Sequence, residues 1–201
     1  MTPSPSTSLM ADTPGEDDRL SRFLSDRPKF KLYAAAQHLN NLKSIEARHE
    51  SLVAPKARIP AEMEIDSFLD QMLGAVQSLF IQINEKLDLG ITVDQLDFGR
   101  MQSALSAKTK KIGLLSDLDR ARQHGSWYWH LVELRNCSMR ESFSRIVVEG
   151  PDSATIYFKK DPRDPDGSLA MDIEVIPYLE QCLSSMEQLI DRIRSSDPML
   201  A

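Results

Sequence analysis

The sequence predicts a mainly α fold: an up-and-down helical bundle with a small antiparallel β-meander inserted before the last helix. Three observations predict it. Ile65, Leu69, Met72, Val76, Leu79 and Ile83 step by four and three residues without a break, the pattern of a bundle seam. Trp127, Leu131 and Leu134 recur at i, i+4 and i+7 in a second apolar helix, and that helix also holds the chain's other tryptophan, Trp129. Over residues 145–175 the apolar period changes from 3.6 to 2, then returns to 3.6.

The totals bound the problem. With 201 residues, 41% apolar and 27% charged, one soluble domain plus a tail is expected. The net charge of −6, from 30 acids against 24 bases, argues against nonspecific duplex binding, which comes from phosphate neutralisation. Cys137 and Cys182 fall in amphipathic stretches and read as buried free thiols in a reducing compartment. No run reaches the roughly 18 apolar residues of a membrane span, and the N-terminal stretch lacks a secretory core. A cytoplasmic protein with no membrane partner is expected.

Residues 1–27, rich in Pro, Ser, Thr and Asp, read as a disordered or loosely docked tail, with Leu20, Phe23 and Leu24 able to form one helical turn. The domain then runs over 28–201. A first helix from Lys29 to about Ser51 carries Leu32, Ala35, Ala36, Leu39, Leu42 and Ile45, and Pro55 and Pro60 bound the loop after it. The seam helix spans about Ala61–Leu87, widened by Phe68, Leu73 and Phe80, and Gly90 closes it.

Thr92 or Asp94 caps a weaker segment, Val93–Lys108, and Leu114–Gln123 is a short amphipathic stretch. Gly125 breaks the chain and Ser126 offers a hydroxyl to the start of the tryptophan helix. Strands are expected at Ile146–Glu149, Ala154–Lys159 and Met171–Val175, and the last helix from Pro177 to about Arg194.

Several chemistries lack their residues. There is no glycine-rich phosphate loop, CxxC pair, His-Glu-x-x-His or Gly-x-Ser-x-Gly. His38 and His49 have no acidic or cysteine partner at ligand spacing, so neither a metal nor a cofactor is expected. What stands out is Arg135 beside a core stripe, followed by Asn136 and then Arg140. A guanidinium there needs a partner or a function. Asp66 and Asp70, one turn apart on the seam helix, offer that partner. Lys108, Lys110 and Lys111 form the one dense basic cluster, either a solvated helix end or a phosphate contact beside the Arg135 helix.

Leu134-Arg135-Asn136 in a tryptophan-led helix resembles the signature helix of the HEPN superfamily, all-helical domains common in nucleic-acid and defence-related proteins. The family motif sets an arginine and a polar residue four to six residues before a histidine, and active members join the two into a metal-independent ribonuclease site doubled across a dimer. Arg135 and Asn136 match, whereas Arg140 stands where the histidine falls. The resemblance implies Arg135, Asn136 and Arg140 as the catalytic set, supported by Asp66 and Asp70 and flanked by the lysines as phosphate contacts. It also implies a homodimer. The order of helices over 29–195 resembles the family layout, with the 145–175 meander as an insertion.

Arginine cannot give up its proton near neutrality, so Arg140 cannot replace the histidine, although two arginines can still hold a phosphate. His130 lies about 140° round the same helix, and His124 in the preceding turn is a more distant source of a base. The expected function is therefore an RNA-binding or protein-interaction module with a degenerate ribonuclease centre. The rivals are an active metal-independent endoribonuclease of toxin or defence type and a purely structural helical adaptor.

Overall fold

A computed structural model describes residues 15–48, 58–108, 112–140, 144–148, 154–158, 173–196 and 198–200. The described residues build a mainly α helical bundle: α1 (Glu16–Ser25), α2 (Arg27–Glu46), α3 (Arg58–Lys86), α4 (Phe98–Lys108), α5 (Ile112–Arg122), α6 (Trp127–Ser138) and α7 (Val175–Ser196). Strands β1 (Ser144–Val148) and β2 (Ala154–Phe158) lie between α6 and α7.

The centre of the bundle is α3. All six seam residues are buried there, as are Phe68 and Phe80. Its largest interface is with α2, which contributes Leu32, Ala35, Leu39 and Leu42. Lys31 lies against Gly74, while His38 Nδ1 sits 2.7 Å from Glu64 Oε2, so α2 and α3 run in opposite directions. Along α7, Arg194 meets Asp26 and Lys43 meets Glu180, which sets α7 antiparallel to α2. Leu179, Cys182, Met186, Leu189, Ile190 and Ile193 fill the α7 side of the core. Burial pushes the Cys182 thiol up to about 12, against a hydrogen bond with Tyr178, so it packs as an apolar group.

Helix ends depart from the sequence reading in several places. The segment 16–25 is a ten-residue helix rather than a single turn. It is held by Phe23, whose ring meets Phe30 at 6.1 Å and Tyr33 at 5.6 Å, while Leu20 and Leu24 stay exposed. After α3 the chain turns at Asp88, which takes a positive φ of 47°, before Gly90 does so at 75°. Asn84 latches that turn: its Nδ2 donates to the Ile91 carbonyl at 2.8 Å and its Oδ1 accepts from the Ile91 amide at 3.0 Å. The helix expected from Val93 begins only at Phe98. Residues Val93–Gln95 form a 3-10 turn, and Asp97 rather than Thr92 or Asp94 takes the first-turn amide of Arg100 at 2.8 Å.

Among the described residues the β element is smaller than the expected three-stranded meander. β1 and β2 pair antiparallel, with Ile146 opposite Ile156. Of the third strand, Met171 and Asp172 lie outside the described residues. Ile173 and Glu174 make one bridge to β2, and Val175 already begins α7. Pro177 in that first turn has its φ preset for a helix and lacks a donor that a strand would need. Ile156 and Phe158 are buried and anchor β2 on the bundle.

β2 is also tied to α2 by Glu46, whose Oε1 accepts from the Ile156 amide at 3.1 Å. Burial raises the Glu46 carboxyl above its ordinary 4.5, outweighing that hydrogen bond, and the nearby Glu174 raises it further. A carboxyl raised in the fold favours folding below 4.5, and that gain is lost as pH climbs through the folded value. Glu46→Gln keeps an acceptor for Ile156 without the charge. Its stability, followed by urea unfolding across pH, is expected to match wild type in acid and exceed it at neutrality; a lower stability at neutral pH would contradict this.

Candidate functional site

Local sequence starts α6 and so places Arg135. Gly125 adopts a positive φ of 79°, which reverses the chain after α5. Ser126 Oγ then accepts from the Trp129 amide at 3.2 Å and donates to the Ala121 carbonyl, joining α6 to the end of α5. Leu131 and Leu134 are buried and Trp127 half-buried, as their stripe predicts. The Tyr128 ring lies 4.7 Å from Phe98, which in turn lies 4.6 Å from Phe80, so α6 is keyed to α3 through α4. Burial raises the Tyr128 hydroxyl to about 12 and keeps it neutral.

That packing carries Arg135 to the outer edge of α3. Its Nε donates to Asp70 Oδ1 at 3.2 Å, with the side chains 37% and 59% exposed. The pair bridges two helices in water and is worth roughly 0.2–1 kcal/mol, far below a buried pair. Asp66, one turn earlier, is exposed on the same face. Asn136 and Arg140 are exposed at the end of α6, together with Met139. Ile59 and Met63 are exposed as well, and their spacing puts them on the face of α3 that carries Asp66 and Asp70. The structure thus brings Arg135 and Asp70 together, with Asp66, on one exposed α3–α6 face, while Asn136 and Arg140 lie about 100° and 140° round α6 from Arg135.

The lysines do not join them. Lys108 Nζ reaches Asp88 Oδ2 at 3.4 Å, beyond the far end of α3. Asp88 follows Asp70 by eighteen positions, roughly 25 Å along the helix axis. Lys110 and Lys111 lie outside the described residues. The phosphate contact expected of Lys108 beside Arg135 is therefore corrected: α4 ends at the opposite end of the bundle.

No described histidine stands beside Arg135. His38 is held at Glu64, between α2 and α3. The His124 ring lies 4.3 Å from Trp129, and the His130 ring lies 5.1 Å from Trp129 and 6.2 Å from Tyr178. Both cluster on the α7 side of α6, whereas Arg135 faces α3. His49 lies outside the described residues. Among those described, no three of His, Cys, Asp and Glu come close enough to hold a metal ion, and no helix is long and apolar enough to cross a membrane.

Two ionic features escaped the sequence reading. Arg194 forks onto Asp26, Nη1 to Oδ2 at 2.9 Å and Nη2 to Oδ1 at 2.6 Å, and Nη2 also donates to Gln82 at 3.2 Å. This clamp joins the α1–α2 junction to α3 and α7. The second feature, Asp117 with Arg120 and Arg192, lines a groove beside the start of α6. Only Asp117 and Arg120, three apart on one helix, leave a local signal; the third partner comes from α7.

Set against known proteins, the chain matches no protein-family model, no curated protein and no solved structure.

Proposed function

We propose that the chain is a HEPN-type binding module that pairs with a second copy of itself and holds single-stranded RNA without cutting it. One observation carries the reading: an arginine oriented by a carboxylate, Arg135 on Asp70, at the exposed edge of α3 with no described histidine on the same face. Metal-free RNA cleavage needs a group that takes a proton from the 2′-hydroxyl and another that returns one to the leaving oxygen. Arg135 and Arg140 keep their protons near neutrality and can only hold the phosphate.

The pairing rests on the same face. It carries the acids Asp66 and Asp70 and the base Arg135, so a twofold axis would set opposite charges against each other. Exposed Ile59, Met63 and Met139 give such a contact apolar surface.

The test is a binding and cleavage assay on single-stranded RNA with excess chelator. Wild type is expected to bind and leave the RNA intact, and Arg135→Ala to weaken binding about tenfold, the loss of one charge-assisted phosphate contact. Arg140→His, which restores a titrating group at the motif position, is expected to bring slow cleavage that Arg135→Ala abolishes in the same background. Robust cutting by wild type, lost in Arg135→Ala, would make the chain an enzyme. Met63→Glu is expected to shift light scattering from dimer to monomer; a wild-type monomer at micromolar concentration would remove the pairing.

A further inference from the structure

A groove lies beside the start of α6, about two turns before Arg135. It has a volume of about 440 Å³ and is walled by the end of α5, the 123–126 turn and α7. Asp117 forms its base, with only 17% of its side chain exposed. Its Oδ1 forms ion pairs with Arg192 Nε at 3.3 Å and Arg120 Nη1 at 3.8 Å. One carboxylate from α5 therefore steadies two guanidiniums, one on its own helix and one on α7.

The charges do not cancel. Two arginines against one aspartate leave an excess of one positive charge at the groove. The other acids of this stretch of α7, Glu187 and Asp191, line a separate groove against α2, on the far side of the helix. Each arginine pairs with Asp117 by charge and keeps N–H donors for a second acceptor. A guanidinium pair held this way suits an oxyanion with several acceptor oxygens, which a phosphate monoester offers and a carboxylate does not.

The remaining lining selects the rest of the ligand. Gln123 and Gln188 bring side-chain amides, which both donate and accept, and Trp127 brings an indole face. Amides that both donate and accept match vicinal hydroxyls, and an indole face matches the C–H side of a sugar ring. The volume lies in the range of small-molecule sites. We infer that the Arg120–Arg192 groove binds a sugar phosphate, the guanidiniums taking the phosphate and Gln123, Gln188 and Trp127 taking the sugar. The ligand is either a free sugar phosphate or the phosphorylated end of a nucleic acid. This site does not rest on the Arg135 face, so either reading stands if the other fails.

The experiment is a titration of the full chain followed by tryptophan fluorescence, since Trp127 lines the groove. The probes are ribose 5-phosphate, ribose, inorganic phosphate, and one oligonucleotide with either a 5′-phosphate or a 5′-hydroxyl. Ribose 5-phosphate or the 5′-phosphorylated strand is expected to bind, each more tightly than its dephosphorylated counterpart, and the better of the two names the source. Arg192→Gln is expected to weaken that binding about tenfold and the double variant Arg120→Gln/Arg192→Gln further. The two arginine side chains are 69% and 47% exposed, so circular dichroism of the variants is expected to match wild type. Equal binding of ribose and ribose 5-phosphate, binding of inorganic phosphate as tight as the sugar phosphate, or an unchanged titration in the double variant would overturn the assignment. Binding by none of the probes would overturn it too.

Discussion

Phe80→Ala is expected to lower the unfolding free energy by about 3–5 kcal/mol, the range for removing a fully packed aromatic side chain. Phe80 is 2% exposed and sits where three helices meet. Its ring stands edge-on to Phe98 at 4.6 Å, and Phe98 packs on Tyr128 at 4.7 Å. Removing the first ring takes away its own buried surface and also loosens the path by which α4 positions α6. Urea unfolding of the variant measures the loss. A cost under about 1.5 kcal/mol would mean that α4 closes over the space, in the low range of large-to-small substitutions.

Asp26→Ala is expected to cost about 3 kcal/mol, because it strands Arg194, which is only 17% exposed. The same truncation at Asp70 is expected to cost under about 1 kcal/mol, since its pair with Arg135 stands in solvent. Thermal or urea unfolding of the two variants side by side separates these cases, and equal losses would contradict the reading. The pH response follows. Burial alone would raise the Asp26 carboxyl, yet the hydrogen bonds and charge of Arg194, with a smaller contribution from Lys29, hold it below its ordinary 3.8. Its contribution is thus present above pH 3.8 and lost as pH falls through the lower folded value. That is the reverse of Glu46, where burial wins and acid favours the fold.

Residues that act within one or two helical turns were readable from the sequence. The α3 seam, the Leu131–Leu134 stripe, the Ser126 cap and the apolar run of α7 follow from spacing alone, since a period of 3.6 places them on one face whatever that face meets. The pair Asp66 and Asp70 was readable as a possible partner for Arg135 for the same reason. Which aspartate serves was not. That depends on where α6 crosses α3, which the Phe80–Phe98–Tyr128 packing sets, and the crossing falls at Asp70.

Exposure was equally beyond spacing. A core stripe at Leu131 and Leu134 says that Arg135 is near the core, but only the packed bundle puts it at an outer edge, where water screens the pair. Among the described residues the expected third strand is reduced to one bridge at Glu174 because Val175 already begins α7, a competition between strand and helix at Glu174–Pro177 that alternation over 171–175 does not reveal. Asp26 and Arg194 stand 168 positions apart, and Asp117 and Arg192 come from different helices. No periodicity links such residues. The helices were written in local pattern, while the ion clamp, the groove and the face of Arg135 were decided by how those helices pack.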